Sequence, residues 1–385
     1  MSATKRFQPG STIGIVGGGQ LGMMLAVKAK QYGYKIVVWT GGSESPAAKF
    51  ADATVDGAYD DPASLAEFVA AADFATVEFE NLPVEMLRQL EQEIPLSPNS
   101  NAIYTCQRRD LEKTFLRENN IPRAMFELVH NADELAKAVE RVGAQGVLKT
   151  ASFGYDGKGQ QRLHGGEDLA QVWQDFGSDC AVFEQWVQFE KELSIMVARD
   201  AEGNCVFYDP AENVHRHHIL DHSIVPARAS DEVMENARQI AQKIVEALDY
   251  QGIMGVEFFL KADGQLVVNE MAPRPHNSGH HTMDACETSQ FEQQLRAVAG
   301  LSLGSTRLLS PVVMLNLLSD VWKNSGDQPD WNPLWDDGSA TLHLYGKAYV
   351  KGRRKLGHVN FLAKDGLADP LDRAKTIQQK WFAEV

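Results

Sequence analysis

Two apolar runs separated by a short turn constrain this chain more than any other feature of its sequence. The runs span residues 253–260 and 267–272, and the turn signal between them is Asp263-Gly264. This pair is preferred in two-residue hairpin loops. The sequence therefore predicts an antiparallel hairpin.

The register of this hairpin decides whether two acids meet. With a two-residue loop Ala262 faces Gln265, and the same pairing continued along both strands sets Glu257 opposite Glu270. Like charges that face each other on a sheet repel, so this pair needs a cation or a raised pKa. Two carboxylates with positions left for water and phosphate oxygens are typical of a magnesium site. A longer loop would shift the register and leave the glutamates apart on a solvated strand face.

The second strand is followed at once by side chains typical of an active site. Asn269 and Glu270 lie within the apolar run, and Arg274 and His276 come directly after it. An amide, an acid, a guanidinium and an imidazole at one strand end provide the groups that bind anions and transfer protons. We therefore predict that the active site lies at this strand end.

Length and charge limit the function classes. The 385 residues, 42.6 kDa, are enough for two or three domains. A net charge of −15 argues against a nucleic-acid backbone or an anionic membrane as the main partner. The sequence contains no apolar stretch of membrane-spanning length and no apolar signal core behind its N-terminus. We expect a cytoplasmic protein with small-molecule substrates, no nucleic-acid partner and no membrane partner.

The first hundred residues alternate between strand and helix patterns, which is typical of a parallel α/β domain. A strand at Thr12–Val16 is followed by the glycine-rich turn Gly17–Gly22, a helical stretch and a second strand at Lys35–Trp39. The glycines match a dinucleotide-binding turn, but the second strand does not end in the acid that would hold a ribose. An NAD-dependent oxidoreductase is therefore only an alternative. A Pro-rich polar segment at 95–99 marks the end of this domain.

Two acids, Glu78 and Glu80, are predicted at the carboxyl end of the strand 75–80. Open α/β sheets bind ligands at this end of their strands. The acids either contact a ligand or belong to a solvated edge.

The order of residues in the middle of the chain predicts a nucleotide-binding site. Lys149 lies on a strand, the glycine-rich segment 152–160 follows, and Glu184 lies on the next strand. Glycine frees backbone amides for phosphate binding, although the segment is not a Walker loop and a plain hairpin tip is the alternative. Beyond residue 310 a small β-rich tail brings the cations Lys347 and Arg354 into an acidic chain.

Taken together, these segments resemble the ATP-grasp superfamily, and most closely its 5-(carboxyamino)imidazole ribonucleotide synthetase family. The resemblance runs end to end. It is carried by residues 17–22, 154–160, 212–215, 269–280, 342–347 and 353–358. It implies an α/β and α+β ATP-grasp architecture of three domains. These are a Rossmann-like parallel α/β domain at 1–105, a two-lobed ATP-grasp domain at 106–304 with its small lobe at about 120–187, and a β-rich domain at 305–385.

The resemblance also implies the reaction. ATP and bicarbonate would give carboxyphosphate, and its carbon dioxide would be attacked by the exocyclic amine of 5-aminoimidazole ribonucleotide in purine biosynthesis. ATP and two magnesium ions are the implied cofactors, and a homodimer is implied by family analogy. Other ATP-grasp ligases, such as formate-dependent glycinamide ribonucleotide transformylase or a biotin-carboxylase-like enzyme, are the alternative.

The family implies ATP contacts at positions that match its motifs. The nucleotide-binding set is Arg109, Lys149, Gly154, Tyr155, Asp156, Gly157, Lys158, Gly159, Gln160, Glu184, Gln185, Trp186, Val187, Glu192, His215, Asn269 and Glu270. The implied metal ligands are Glu257, Glu270 and Asn269. Arg108 is the alternative to Arg109.

The family also implies which residues bind the other substrates and carry the chemistry. The substrate set is Gln20, Glu80, Tyr155, Asp156, Arg274, His276, Lys347 and Arg354, with Glu78 as the alternative to Glu80. The catalytic set is Arg274, His276, Asp156, Lys149 and Tyr155. Asp156 would either accept a proton from the amine or orient it.

Some neighbouring residues are expected to have no role in the site. His280 and His281 are predicted as turn or core residues, and Arg353 and Lys355 as solvated neighbours of Arg354. Three tryptophans are predicted to pack in the core, namely Trp322, Trp331 and Trp335.

Overall fold

A computed structural model describes residues 5–152, 159–322, 329–347, 354–366 and 368–383. The N-terminal part is a four-stranded parallel sheet with helices around it, in the strand order β3-β2-β1-β4. Its elements are β1 Thr12–Val16, α1 Gln20–Gln31, β2 Lys35–Trp39, β3 Ala53–Val55, α2 Pro62–Ala71, β4 Phe74–Val77, α3 Val84–Glu93 and α4 Ser100–Gln107. The predicted parallel α/β domain is confirmed.

The strands of this sheet are buried on both faces. Ile36 and Val38 of β2 pack into one apolar cluster, and Val37 and Trp39 pack into another on the opposite side. Alternate side chains of a strand point to opposite faces, so a continuous apolar run is what a sheet covered twice by helices requires.

A second, smaller sheet carries the predicted lysine strand. It is antiparallel, with the order β5-β8-β6-β7. Its elements follow the helix α5, and they are α5 Arg109–Glu118, β5 Phe126–Val129, α6 Ala132–Val142, β6 Gly146–Thr150, β7 Gln160–Leu163, α7 Leu169–Phe176 and β8 Ala181–Gln185. The predicted strand that carries Lys149 is β6.

The third sheet joins the centre of the chain to its C-terminal part. In the described residues it has nine strands, in the order β14-β13-β9-β11-β12-β15-β17-β16, with β10 paired to β9. Its elements and the helices around it are β9 Lys191–Arg199, β10 Cys205–Phe207, β11 Ala211–Arg216, β12 Ile219–Val225, α8 Asp231–Ala247, β13 Gly252–Leu260, β14 Leu266–Ala272, α9 Thr282–Ala285, α10 Gln290–Val298, β15 Val312–Leu318, α11 Asn332–Asp337, β16 Ala340–Leu344, β17 Lys355–Leu362 and α12 Ala368–Ala383. The predicted domain limit at 305 therefore falls between strands of one continuous sheet.

The hairpin between β13 and β14 has a different loop from the predicted one. Lys261, not Ala262, pairs with Gln265, and the Gly264 N–H donates to the Lys261 carbonyl at 2.9 Å. The loop therefore has three residues, and Gly264 takes a positive φ of 82° that closes it. The predicted two-residue loop is wrong.

A β-bulge at Asn269 restores the predicted pairing. Phe258 pairs with Val268 but Glu257 pairs with Glu270, so Asn269 is an extra residue on β14. Val268 and Met271 on either side are both buried in one apolar cluster. Asn269 and Glu270 are thus both left outside that cluster. The glutamates face each other as predicted, although the two-residue loop that was expected to bring them together is not present.

The C-terminal core is built from aromatic rings. Trp322 lies edge-on to Trp331, which lies edge-on to Trp381, with ring centroids 5.6 and 5.8 Å apart. Packing roles for Trp322 and Trp331 are confirmed. Trp335 is 59% exposed, so its predicted packing role is wrong.

His280 and His281 are fully buried, as expected for core residues.

Candidate active site

The first part of the site is a buried cluster of charges between β6, β8 and α5. The Lys149 Nζ donates to Glu184 Oε2 at 3.0 Å, and Lys113 Nζ lies 3.5 Å from the same oxygen. Burial opposes the charge of Glu184, but Lys113 and Lys149 outweigh it and lower the pKa of Glu184 to about 2. Burial in turn lowers the pKa of Lys149. Glu184 is thus a permanent carboxylate.

Arg109 lies beside this cluster. Its backbone N–H donates to the Ala151 carbonyl at 2.8 Å, and its Nη1 donates to the Thr150 carbonyl at 3.0 Å. These contacts fix the start of α5 against the end of β6. Arg109 and Lys149 are therefore neighbours at the end of the lysine strand.

The residues after Glu184 form an exposed connection between the small sheet and the large one. Gln185 and Trp186 donate backbone N–H groups to the Met125 and Gln145 carbonyls. The guanidinium of Arg162 lies 3.6 Å from the Trp186 ring centroid. The Oε1 of Glu184 is buried without a hydrogen-bond partner among the described residues. One carboxylate oxygen is thus left for a ligand beside this connection, which continues through Val187.

Glu192 and His215 lie side by side on β9 and β11. Their Oε1 and Nδ1 atoms are 3.1 Å apart. Burial disfavours a charged His215, but the Glu192 and Glu257 carboxylates outweigh burial and raise the pKa of His215. The pair therefore lies close enough to Glu257, one of the facing glutamates, for its charge to act on His215.

The facing glutamates suit a divalent cation. Burial and the charge of Glu270 raise the pKa of Glu257 to about 7. Within the described ranges, no three His, Cys, Asp or Glu residues are grouped closely enough to form a complete metal site by themselves. Two carboxylates, with Asn269 beside them, nevertheless fit a magnesium ion whose other ligands are water and phosphate oxygens.

The strand that carries Glu270 is held by two residues that the sequence did not single out. Glu112 Oε1 accepts from the Met271 N–H at 2.6 Å, and Lys113 Nζ donates to the Asn269 carbonyl at 2.9 Å. Burial, despite Lys113, raises the pKa of Glu112 to about 7. The only signal in the sequence was a charged helical stretch at 108–119.

Arg274 and Glu80 join the large sheet to the parallel sheet. The Arg274 Nε and Nη2 donate to Glu80 Oε2 and Oε1 at 2.5 and 3.1 Å. Burial opposes ionisation of Glu80, but Arg274 outweighs burial and lowers the pKa of Glu80. The bidentate pair places both predicted substrate residues at one point.

Glu78 has a different environment from Glu80. Its two oxygens accept from the Gly19 and Gly22 N–H groups at 2.5 and 2.7 Å, at the N-terminus of α1. Burial raises the pKa of Glu78 although these bonds oppose the rise. Its carboxylate occupies the position where a dinucleotide phosphate would meet the helix. This argues against the NAD alternative.

His276 lies beside the glutamates. Its Nε2 is 3.6 Å from Glu257 Oε1, and its Nδ1 is 2.9 Å from Ser278 Oγ. Burial and Arg274 lower the pKa of His276 well below its usual value. His276 is therefore neutral at physiological pH.

A cationic cluster lies where the C-terminal strands meet α1. Lys347 Nζ donates to Gln20 Oε1, and Arg354 Nη2 donates to Glu44 Oε2 at 2.7 Å. Burial and the charge of Arg354 lower the pKa of Lys347 to about 8. Gln20, Lys347 and Arg354 are thus brought together from the two ends of the chain.

Lys355 is a further cation near Glu80 and Glu257. It begins β17, where Leu356, Val359 and Phe361 pack into the C-terminal core. Burial opposes the ionisation of both Glu80 and Glu257, and the charge of Lys355 is a small effect in the opposite direction. Lys355 is partly buried, and its assignment as a solvated neighbour of Arg354 stays a prediction.

The glycine-rich segment is described only at its end. Gly154, Tyr155, Asp156, Gly157 and Lys158 lie outside the described residues, as does Arg353. Gly159 accepts from the Thr150 N–H at 2.9 Å, and Gln160 pairs with Lys149. The segment therefore leaves and returns beside Lys149.

Family models match almost the whole chain. The ribonucleotide synthetase preATP-grasp domain matches residues 11–107, the ATP-grasp domain 114–291, and the phosphoribosylaminoimidazole carboxylase C-terminal domain 312–368. The N5-carboxyaminoimidazole ribonucleotide synthase of Brucella melitensis is 45% identical over 355 residues, which cover 91% of this chain and 96% of the relative. That of Bacillus subtilis is 41% identical over 98% of this chain and 95% of the relative. The chain belongs to the N5-carboxyaminoimidazole ribonucleotide synthase family.

Solved members of the synthase family have the same fold. An ADP complex of N5-carboxyaminoimidazole ribonucleotide synthetase has a TM-score of 0.92 at 40% identity and covers 99% of this chain and 100% of its own. The Aspergillus clavatus synthase, solved with ADP and 5-aminoimidazole ribonucleotide, has a TM-score of 0.85 at 29% identity, with 97% and 98% covered. The predicted fold class and the predicted function as an ATP-dependent carbon–nitrogen ligase are confirmed.

No helix in the described parts of this synthase-family chain is both long and apolar enough to cross a bilayer.

Proposed function

We propose that this chain carboxylates the exocyclic amine of 5-aminoimidazole ribonucleotide with bicarbonate. The products are 5-carboxyaminoimidazole ribonucleotide, ADP and phosphate, as a step of purine biosynthesis; the name of a Dictyostelium discoideum relative refers to purine synthesis. The observation that carries the proposal is the position of Arg274. It follows the strand of Glu270 and forms a bidentate pair with Glu80, so one guanidinium connects the facing glutamates with the parallel sheet.

We propose that ATP binds between the small sheet and the large one. Arg109 and Lys149 would bind its phosphates, and the segment from Gly154 to Gln160 would cover them. Adenine would meet the free oxygen of Glu184 and the connection through Gln185, Trp186 and Val187. Glu192 would bind the ribose, and His215 would line the same site. The support is the convergence of these side chains on the end of β6 and on the adjacent strands.

We propose that Glu257, Glu270 and Asn269 hold magnesium, with two ions bound together with ATP. Three observations support this metal site: Glu257 pairs with Glu270, the bulge places Asn269 beside them, and the pKa of Glu257 is raised. When bound, magnesium would neutralise the charge that spreads over the transferring phosphoryl group.

The first chemical step is phosphoryl transfer. A bicarbonate oxygen attacks the γ-phosphorus of ATP, its bond to ADP breaks, and carboxyphosphate forms. The ammonium of Lys149 and the guanidinium of Arg274 stabilise the charge on the equatorial oxygens. Both cations are held in place before the substrate arrives by ion pairs, with Glu184 and Glu80.

The second step joins carbon to nitrogen. Carboxyphosphate releases phosphate and carbon dioxide, and the exocyclic amine attacks the carbon and loses a proton. Tyr155 and Asp156 of the glycine-rich segment would exclude water and orient this amine, with Asp156 as a candidate proton acceptor. The neutral His276 would line the same space. Its lowered pKa keeps it uncharged, so it can accept or donate a hydrogen bond without competing with Arg274 for an anion.

We propose that the ribonucleotide phosphate is bound by Lys347 and Arg354, with Gln20 beside them. Glu80 would contact the aminoimidazole. The support is the cationic cluster at α1 and the distinct role of Glu78, whose oxygens are already used at the helix N-terminus.

A phosphate-release assay tests the proposed reaction. Release should require ATP, bicarbonate and aminoimidazole ribonucleotide together. Formate, biotin or glycinamide ribonucleotide should not replace the substrates. Release that depends on any of these three would assign the chain to another ATP-grasp reaction.

We also propose a cytoplasmic homodimer by family analogy. Sedimentation at micromolar concentration tests the oligomeric state, and a monomer there would refute it.

A further inference from the structure

Helix α5 lies between the two sheets of the site and contacts both. At its start, the backbone and side chain of Arg109 bind the carbonyls of Ala151 and Thr150 at the end of β6. One turn later its buried face presents Glu112 and Lys113, which are 3% and 1% exposed. A single helix therefore contacts both β6, which carries Lys149, and the hairpin of β13 and β14, which carries Glu257 and Glu270.

Glu112 and Lys113 bind the outer edge of β14. Among the described residues this strand lies at the edge of the nine-stranded sheet, and on its outer side Val268 forms an isolated bridge with Arg123. Glu112 accepts from the Met271 N–H at 2.6 Å, and Lys113 donates to the Asn269 carbonyl at 2.9 Å. The two bonded groups belong to the residues immediately before and after Glu270.

The bulge makes these two bonds important for the position of Glu270. An extra residue interrupts the regular ladder between β13 and β14 at Asn269, so the ladder alone does not fix the strand there. The bonds from α5 supply that restraint from the opposite side. Outer contacts of this kind orient metal ligands in many sites.

Lys113 also links the outer edge of β14 to the ion pair of Lys149 and Glu184. Its Nζ lies 3.5 Å from Glu184 Oε2, the oxygen that accepts from Lys149 Nζ at 3.0 Å. A continuous chain of polar contacts thus runs from Lys149 through Glu184 and Lys113 to the backbone beside Glu270.

We propose that Glu112 and Lys113 are positioning residues that fix Glu270 relative to Lys149. They set the distance between the magnesium ligands and the ammonium that binds the transferring phosphate, and they do not touch substrate. This inference rests on the proposed function, since it assigns the parts that hold Glu270 and Lys149 in that reaction.

The test compares two substitutions of Glu112. In Glu112→Leu the Met271 N–H loses its acceptor, whereas in Glu112→Gln the amide oxygen can still accept it. The readout is Mn²⁺ binding to the full chain in the presence of ADP, measured by electron paramagnetic resonance, and it needs no turnover. Glu118→Gln is the control, since Glu118 lies on the exposed end of the same helix.

We expect Glu112→Leu to bind Mn²⁺ about tenfold to a hundredfold more weakly, as loss of an outer contact does in other metal sites. Glu112→Gln and Glu118→Gln should bind it as the unsubstituted chain does. Unchanged binding in Glu112→Leu would overturn the proposal. So would equal weakening in Glu112→Gln, because the effect would then come from charge and not from the bond.

Lys113→Met gives a second, independent variant if Glu112→Leu does not fold. It should weaken Mn²⁺ binding and raise the KM for ATP, because the Asn269 carbonyl loses its donor and Glu184 loses a neighbouring cation. Unchanged values in a folded Lys113→Met chain would also overturn the proposal. Phosphate release by the unsubstituted chain is measured in parallel. Its absence would count against the proposed function, and the Mn²⁺ comparison would still decide the role of Glu112.

Discussion

The part of the site assigned to ATP and the part assigned to the ribonucleotide are held together differently. At the ATP end, Lys149 and Glu184 are 35 residues apart, lie on neighbouring strands, and have side chains only 11% and 5% exposed. At the ribonucleotide end, Arg354 and Glu44 are 310 residues apart and are 33% and 41% exposed. One end is a buried charge cluster within a sheet, and the other is a half-exposed contact between distant segments.

This difference has a physical consequence for the two substrates. Buried pairs are screened little by salt and are costly to break, because each partner would be left charged in a poorly solvated place. Half-exposed pairs contribute little to stability and weaken in salt. The ATP end should therefore be rigid before its substrate arrives, whereas the ribonucleotide end depends on how the C-terminal strands meet α1.

The largest effect is expected for Glu270→Ala. Loss of one of the two facing carboxylates should lower kcat by at least about a thousandfold, since several kcal/mol of charge stabilisation would be lost. Circular dichroism should show a folded chain, because Glu270 lies outside the core. Full activity at saturating magnesium would contradict the metal role. Glu118→Ala is the matched control.

Glu184→Leu tests whether the ATP end depends on its buried pairs. It leaves the ammonium groups of Lys113 and Lys149 without their carboxylate, which should lower the free energy of unfolding by about 3–5 kcal/mol. Glu44→Leu, at the ribonucleotide end, should lower it by less than about 1 kcal/mol. Urea denaturation of both variants measures the difference. Equal losses would show that the two ends are not built differently.

Lys347→Ala should affect only the ribonucleotide end. We expect its KM for aminoimidazole ribonucleotide to rise about tenfold to a hundredfold, the value of one lost hydrogen bond to a charged group. The KM for ATP should stay the same. Lys35→Ala, which removes an exposed cation from β2, is the control. An unchanged ribonucleotide KM would remove Lys347 from the site.

The smallest effect is expected from pH. Lys347 is charged below its pKa of about 8 and neutral above it, so the ribonucleotide KM should rise as the pH increases past about 8. The KM for ATP should show no matching rise. In Lys347→Arg the guanidinium stays charged, and the rise should disappear. A rise that persists in Lys347→Arg would assign it to another group.

The fold was largely predictable from the sequence because its strands and helices have regular patterns. The parallel βαβ start, the lysine strand and the glutamate hairpin follow from apolar periodicity and glycine position. The pairing of Glu257 with Glu270 was predicted correctly, although the loop length from which it was derived was wrong. Two deviations of one residue each, in the loop and at Asn269, compensate for each other, and neither has a sequence signal strong enough to recognise.

The residues that sequence reasoning missed act through tertiary contacts. Glu112 and Lys113 are ordinary members of a charged helical stretch until β14 packs beside them. Lys355 lies near Glu80 and Glu257 because β17 joins the large sheet through β15. Trp335 was predicted to pack because its surroundings are acidic, yet on α11 it is 59% exposed. The individual site roles remain predictions.

In the proposed metal site, the bulge at Asn269 makes the length of β14 part of the ligand set. Removing this one residue would leave every apolar position of β14 in its place and would produce a regular ladder that still folds. The hairpin would then offer two carboxylates but no amide next to them. Alignments of related chains should therefore treat a gap at this position as a change in chemistry, in the same way as the replacement of a side chain.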